Sequence, residues 1–160
     1  MRITAILALC FALAGCGFQP LYGDGRLSPQ MASIYVEPIA ESSGYELRNS
    51  LIDLLGSNGE TAGKAYRLVI TLADTSQGVA LQNDATITRY NDTLNATYVL
   101  TDAKGQELTR GTLTGLSSYN VANSPFATLA ARQDSDKRAA LDIAQRLRLD
   151  LGVYFRRGQR

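Results

Sequence analysis

The amino-acid sequence predicts an α+β fold: a two-layer sandwich, one mostly antiparallel four-stranded sheet with two helices on one face. The expected order is strand-helix-strand-strand-strand-helix. Three patterns carry that expectation. Leu94, Ala96, Tyr98 and Leu100 alternate with Asn95, Thr97 and Thr101, which is the period of a half-buried strand. Ala140, Ile143, Ala144, Leu147, Leu151 and Tyr154 recur at helical spacing and fall on one face. Between them "TDAKGQE" reads as a hairpin turn in which Gly105 supplies a left-handed position.

The remaining elements follow in chain order. Gly17 to Pro29 carries Gly and Pro with few periodic apolar residues, and reads as a tether. Ser33-Ile34-Tyr35-Val36, stopped by Pro38, is the first strand. In "SSGYELRNSLIDLLGSNG", Ser42 or Ser43 is the expected cap of a helix. Tyr45, Leu47, Leu51, Leu54 and Leu55 give it helical spacing, and Gly56 to Gly59 stops it. Tyr66, Leu68, Ile70 and Leu72 then alternate with Arg67, Thr71 and Ala73 in a second strand. The stretch from Gly78 to Arg89 is expected to be extended around a turn near Asn83-Asp84. Glu107 to Val121 is strand-like with weak alternation, where Gly111 and Gly115 mark bulges or close backbone approach. Ser124-Pro125 is a cap and first-turn pair for the last helix, with a possible break in the polar stretch Asp134 to Lys137. The sheet face away from the helices is expected to be rich in Thr, Asn and Ser, facing water or a partner.

Composition narrows the function classes. A chain of 160 residues with 45% apolar and 19% charged residues is one globular domain. Sixteen Lys plus Arg nearly balance fifteen Asp plus Glu, with no basic stripe, so no nucleic-acid partner is expected. The cluster Arg146, Arg148, Arg156, Arg157 and Arg160 reads first as solvated arginines near a helix end, and second as an anion site. Histidine is absent, which excludes every His-based triad, general base or metal site. A serine nucleophile would depend on Lys64, Lys104 or Lys137, none in a recognisable motif. The acidic pairs Asn83-Asp84, Asn91-Asp92 and Asp134/Asp136 read as cap, turn or surface residues. No catalytic residue, metal or cofactor is therefore expected.

The N-terminus is the most informative segment. Met1-Arg2 is a positive start, and Ile3 to Ala14 is almost wholly apolar. That run is too short to span a bilayer, which takes roughly 20 residues, and fits the core of a signal peptide. Leu13-Ala14-Gly15-Cys16 resembles the bacterial lipobox in all four positions. The resemblance implies cleavage by signal peptidase II between Gly15 and Cys16, a diacylglycerol on the Cys16 sulfur and an acyl chain on its amino group. Several acyl chains anchor a protein stably where one does so only marginally. Cys10 would leave with the signal peptide, and the other roles of a thiol fall away. The expected division is residues 1–15 signal peptide, 16–30 lipidated N-terminus and tether, and 31–157 a single domain.

Further segments carry a second resemblance. "CGFQPLYG" (Cys16 to Gly23), "TRYN" (Thr88 to Asn91), "YVLTD" (Tyr98 to Asp102), "SYNV" (Ser118 to Val121) and "SPFATLAARQDSDKRAA" (Ser124 to Ala140) occur in that order. Together they resemble the LPS-assembly lipoprotein family, LptE, in its alphaproteobacterial form. The resemblance implies a small two-layer α/β sandwich, anchored in the outer membrane and facing the periplasm. It would sit as a plug inside the LPS-assembly β-barrel (LptD type), assist that barrel's assembly and support lipopolysaccharide delivery, catalysing no covalent reaction. The implied partners are the barrel, lipopolysaccharide and the membrane through the lipid. Arg89 and Arg110, with the C-terminal arginines, are candidate contacts to lipopolysaccharide phosphates. An accessory lipoprotein of another envelope lipid or solute transport system is the alternative, and a lipid-anchored hydrolase a third reading.

Overall fold

The computed structural model describes residues 27–61, 63–81 and 87–158. Its elements are α1 (Leu27–Ala32), β1 (Ile34–Val36), α2 (Glu41–Leu55), β2 (Tyr66–Leu81), β3 (Ile87–Asp102), β4 (Glu107–Asn120) and α3 (Pro125–Arg157). The strands form one sheet in sequence order, β1-β2-β3-β4. The sheet is mixed. β2, β3 and β4 pair antiparallel, as expected from their short connections, whereas β1 runs parallel to β2. The reason is topological: α2 carries the chain back from the end of β1, and a strand-helix-strand crossover returns the second strand parallel to the first. The sequence reading has no counterpart of α1, which starts inside the segment read as tether.

Local signals account for most boundaries. Gly56 ends α2 in the left-handed conformation (φ 65°), its N–H reaching Asp53 O while Ser57 N–H reaches Ile52 O. Gly105 turns the β3-β4 hairpin with φ 80°, and the Asp102 carboxylate accepts the Lys104 and Gln106 N–H groups at 2.8 Å. The start of α2 differs from expectation. Ala40 occupies the cap position without a side-chain bond, and Ser43 lies buried inside the helix. Tyr45 points outward, 64% exposed, so Leu47, Leu51 and Leu55 form the inner stripe. The last helix runs unbroken through Asp134 to Lys137, and Ser124 sits at its cap position without a side-chain cap bond. Thr128 Oγ1 instead accepts the Ala122 N–H at 3.0 Å and ties the preceding loop down.

The core lies between the sheet and the helices. Leu68, Ile70, Leu94, Ala96, Tyr98 and Leu100 face Leu47, Leu51, Ile143, Ala144, Leu147 and Leu151. Close backbone approach, and not a bulge, explains two glycines of β4. A Cβ on Gly111 would meet the Tyr98 ring at 2.8 Å, and one on Gly115 would meet the Ala139 carbonyl oxygen at 2.8 Å. Helix α3 therefore rests directly on β4 at Gly115. Towards its N-terminus the same helix leaves the apolar core: no residue before Ser135 is buried, and Phe126 is 80% exposed.

Candidate functional site

Among the described residues the two layers leave one sheet face uncovered, and the pleat decides what it shows. Thr71, Ala73, Thr75 and Gln77 of β2, Asn91, Thr93, Asn95 and Thr97 of β3, and Thr112, Thr114 and Ser118 of β4 alternate with the core residues and point away from the helices. These side chains bond across strands: Thr114 Oγ1 donates to Asn95 Oδ1 at 2.8 Å, and the Thr97 and Thr112 hydroxyls lie 3.5 Å apart. A shallow groove of about 400 Å³ crosses this face between Thr75, Thr93 and Leu116. Its chemistry is that of hydroxyls and amides, which recognise a polar surface by hydrogen bonds. Apolar residues on this face include Leu116, 72% exposed, and the paired Val69 and Val99 nearer its other end.

The two arginines singled out in the sequence both lie on this face but are not brought together. Arg110 pairs across from Val99, ten residues along β3 from Arg89, a span of about 33 Å. Arg89 donates from Nη2 to Ser118 Oγ at 2.7 Å. Arg110 forks onto the Glu107 carboxylate, and that hydrogen bond holds the Glu107 carboxyl below its usual range. Among the C-terminal arginines, Arg156 and Arg157 close the last turn of α3, where they complement its dipole. Arg146 is bound to Asp142 and to the Thr114 carbonyl. Leu13, Ala14, Gly15, Cys16 and Arg160 lie outside the described residues, as does the Asn83-Asp84 turn.

On the covered face the sequence reading missed a buried polar cluster. Asp92 is 3% exposed, in the middle of β3. Its Oδ1 accepts from Ser76 Oγ at 2.5 Å, and its Oδ2 from the fully buried Ser135 at 3.4 Å. A carboxylate is tolerated there because hydroxyls satisfy it. Tyr119, stacked on Tyr90 with centroids 5.4 Å apart, has its hydroxyl pKa raised by burial and by Asp92. Burial likewise raises the Asp136 carboxyl. Arg132 opposes that shift, while Asp74 and Asp92 reinforce it. The signal was present: the inward positions 94, 96, 98 and 100 of β3 extrapolate by one step to Asp92. The polar stretch of α3 faces this polar end of the sheet.

Among the described residues no three His, Cys, Asp or Glu side chains converge to hold a metal ion. Nor is any helix among them long and apolar enough to cross a membrane.

Known proteins share this architecture. A protein described as a lipoprotein from Caulobacter crescentus superposes with a TM-score of 0.68 at 29% identity, over 84% of this chain and 98% of that one. The rare lipoprotein B of Shewanella oneidensis shares the fold at 10% identity, with a TM-score of 0.59 over 79% of this chain and 98% of its own. An uncharacterised protein of Rickettsia prowazekii is 26% identical over 157 residues, 97% of this chain and 98% of that protein. The LptE lipopolysaccharide-assembly family model matches residues 31–151, from Met31 of α1 almost to the end of α3. The chain belongs to the LptE family of lipopolysaccharide-assembly proteins.

Proposed function

We propose that this chain is an outer-membrane lipoprotein, held by acyl chains on Cys16, that plugs the β-barrel lipopolysaccharide translocon and assists its assembly. The observation that carries the reading is the uncovered, hydroxyl-rich sheet face on a member of this family. The lumen of a large outer-membrane barrel is polar, and a face of Thr, Asn and Ser exchanges hydrogen bonds with it without burying unpaired charge. Its dimensions suit the role: sixteen residues of β3 extend about 50 Å, longer than a hydrocarbon core of about 30 Å. Arg89 and Arg110 stand at opposite ends of that face as candidate contacts to lipopolysaccharide phosphates. The chain's part is to bind and position, with no covalent step.

A pull-down of the full tagged chain in mild detergent tests the reading. A large β-barrel outer-membrane protein should co-purify at a fixed ratio. Recovery without a barrel, or with the components of a different envelope transport system, overturns it.

A further inference from the structure

β4 is the outer strand of the sheet, and none of the described strands pairs with the outer side of its fourteen residues. A strand of that length with unpaired backbone groups is a template for another strand, and folds that keep such edges block them. Val121 N–H donates to Thr88 O at 2.9 Å, so the odd-numbered residues of this stretch turn their backbone groups towards β3. The even-numbered residues, Thr112, Thr114, Leu116, Ser118 and Asn120, turn theirs outward.

Two arginines of α3 reach round to that edge. Arg146 Nη1 donates to Thr114 O at 3.1 Å, and Arg138 Nη2 donates to Ser118 O at 3.2 Å. The spacings match. Eight helical residues rise about 12 Å, and four strand residues about 13 Å, so an antiparallel helix brings one arginine to each carbonyl. Each guanidinium is steadied by a carboxylate one turn earlier, Asp134 for Arg138 and Asp142 for Arg146. Both arginine side chains are about half exposed, so the pairs themselves add little stability. Their effect is to occupy acceptors that a neighbouring strand would need.

Leu116 sits midway between the two clasped carbonyls. Around a two-fold axis at this residue, β4 of a second copy lies antiparallel, with Leu116 opposite Leu116 and Thr114 opposite Ser118. That arrangement is self-complementary, as a two-fold interface requires. It covers the most exposed apolar side chain among the described residues of the sheet, and it uses the two carbonyls that Arg138 and Arg146 hold. We propose that the outer edge of β4 is a strand-pairing surface for a second copy of this chain, centred on Leu116 and held shut by Arg138 and Arg146. The inference does not rest on the barrel reading.

The test uses the chain from Gly17 onward, which keeps every core residue from Met31 to Phe155. Both native cysteines, Cys10 and Cys16, are then absent, so Leu116→Cys introduces a single thiol. Residues opposite each other in a hydrogen-bonded antiparallel pair have Cα atoms about 5.5 Å apart, within disulfide range. Arg138→Ala/Arg146→Ala should tighten self-association by at least about tenfold in sedimentation equilibrium, about 1.4 kcal/mol. It should also speed disulfide dimerisation of Leu116→Cys. Adding Thr114→Pro, which removes an outward N–H at an edge where proline is tolerated, should reverse both effects. Asp134→Asn/Asp142→Asn, which frees the guanidiniums without removing them, should shift both readouts the same way by less. A folded arginine double variant that stays monomeric overturns the proposal. So does association without cross-linking at position 116. Should the arginine variant not fold, an unchanged Asp134→Asn/Asp142→Asn variant overturns it.

Discussion

Replacing Gly115 by alanine tests how α3 is seated on the sheet. The added Cβ would lie 2.8 Å from the Ala139 carbonyl oxygen and 3.0 and 3.1 Å from two carbons of Ile143. The isoleucine end can turn aside; the helix backbone at Ala139 cannot move alone. The helix must lift by several tenths of an ångström, which loosens Ile143 and Ala140 in the core. Overpacking of this kind costs about 1–3 kcal/mol. The smaller entropy of the unfolded alanine chain returns up to about 1 kcal/mol. A net loss of about 1–2 kcal/mol should lower Tm by about 3–8 °C for a domain of this size. Thermal unfolding of the chain from Gly17, followed by circular dichroism, measures it. A variant melting at or above the wild-type temperature would refute direct contact between the α3 backbone and β4.

Three further outcomes follow from the same structure. Asp92→Ala leaves the Ser76 and Ser135 hydroxyls without their acceptor, and should cost about 1–3 kcal/mol in urea unfolding. Because burial raises the Asp136 pKa in the folded state, its protonated form is favoured there, and that stabilisation is full below the unfolded value and lost as pH rises through the folded one. Asp136→Asn should therefore raise Tm at pH 7, by less than about 1 kcal/mol of stability given its partial exposure. The advantage should vanish below the ordinary Asp value of about 3.9, and a lower Tm at pH 7 would contradict the assignment. Cys16→Ser in the full chain should abolish labelling by radioactive fatty acid and leave the precursor uncut. Normal processing or continued labelling would remove the lipid anchor.

Much of the fold was legible because period and punctuation agreed. Leu94 to Leu100 alternate in a strand that one layer of helices covers, and Ala140 to Leu151 form the stripe that covers it. Gly56 and Gly105 end elements by adopting the left-handed conformation, which any local reading anticipates. The differences arose where tertiary context overrode local pattern. Ser43 resembles a cap but is drawn into the α2 interface, and Tyr45 keeps helical spacing while facing water. The parallel β1 pairing is a property of the crossover and leaves no mark on three residues of sequence. Asp92 and Ser135 look like surface residues in isolation. Only the face of β3 and the matching polar stretch of α3, taken together, make them a buried pair. The open face was anticipated from its Thr and Asn content. The separation of Arg89 from Arg110 was not, because it depends on β-strand register across a hairpin.

If the hydroxyl-rich sheet face of a plug meets the wall of a barrel, a photo-reactive residue at Thr97 lies against that wall. This exposed position lies on the uncovered face of β3. Irradiated in cells carrying the full chain, it should yield one dominant adduct that contains the β-barrel lipopolysaccharide translocon. A chain that is folded and at the outer membrane, yet forms no barrel adduct from Thr97, would show that this face does not meet the barrel wall.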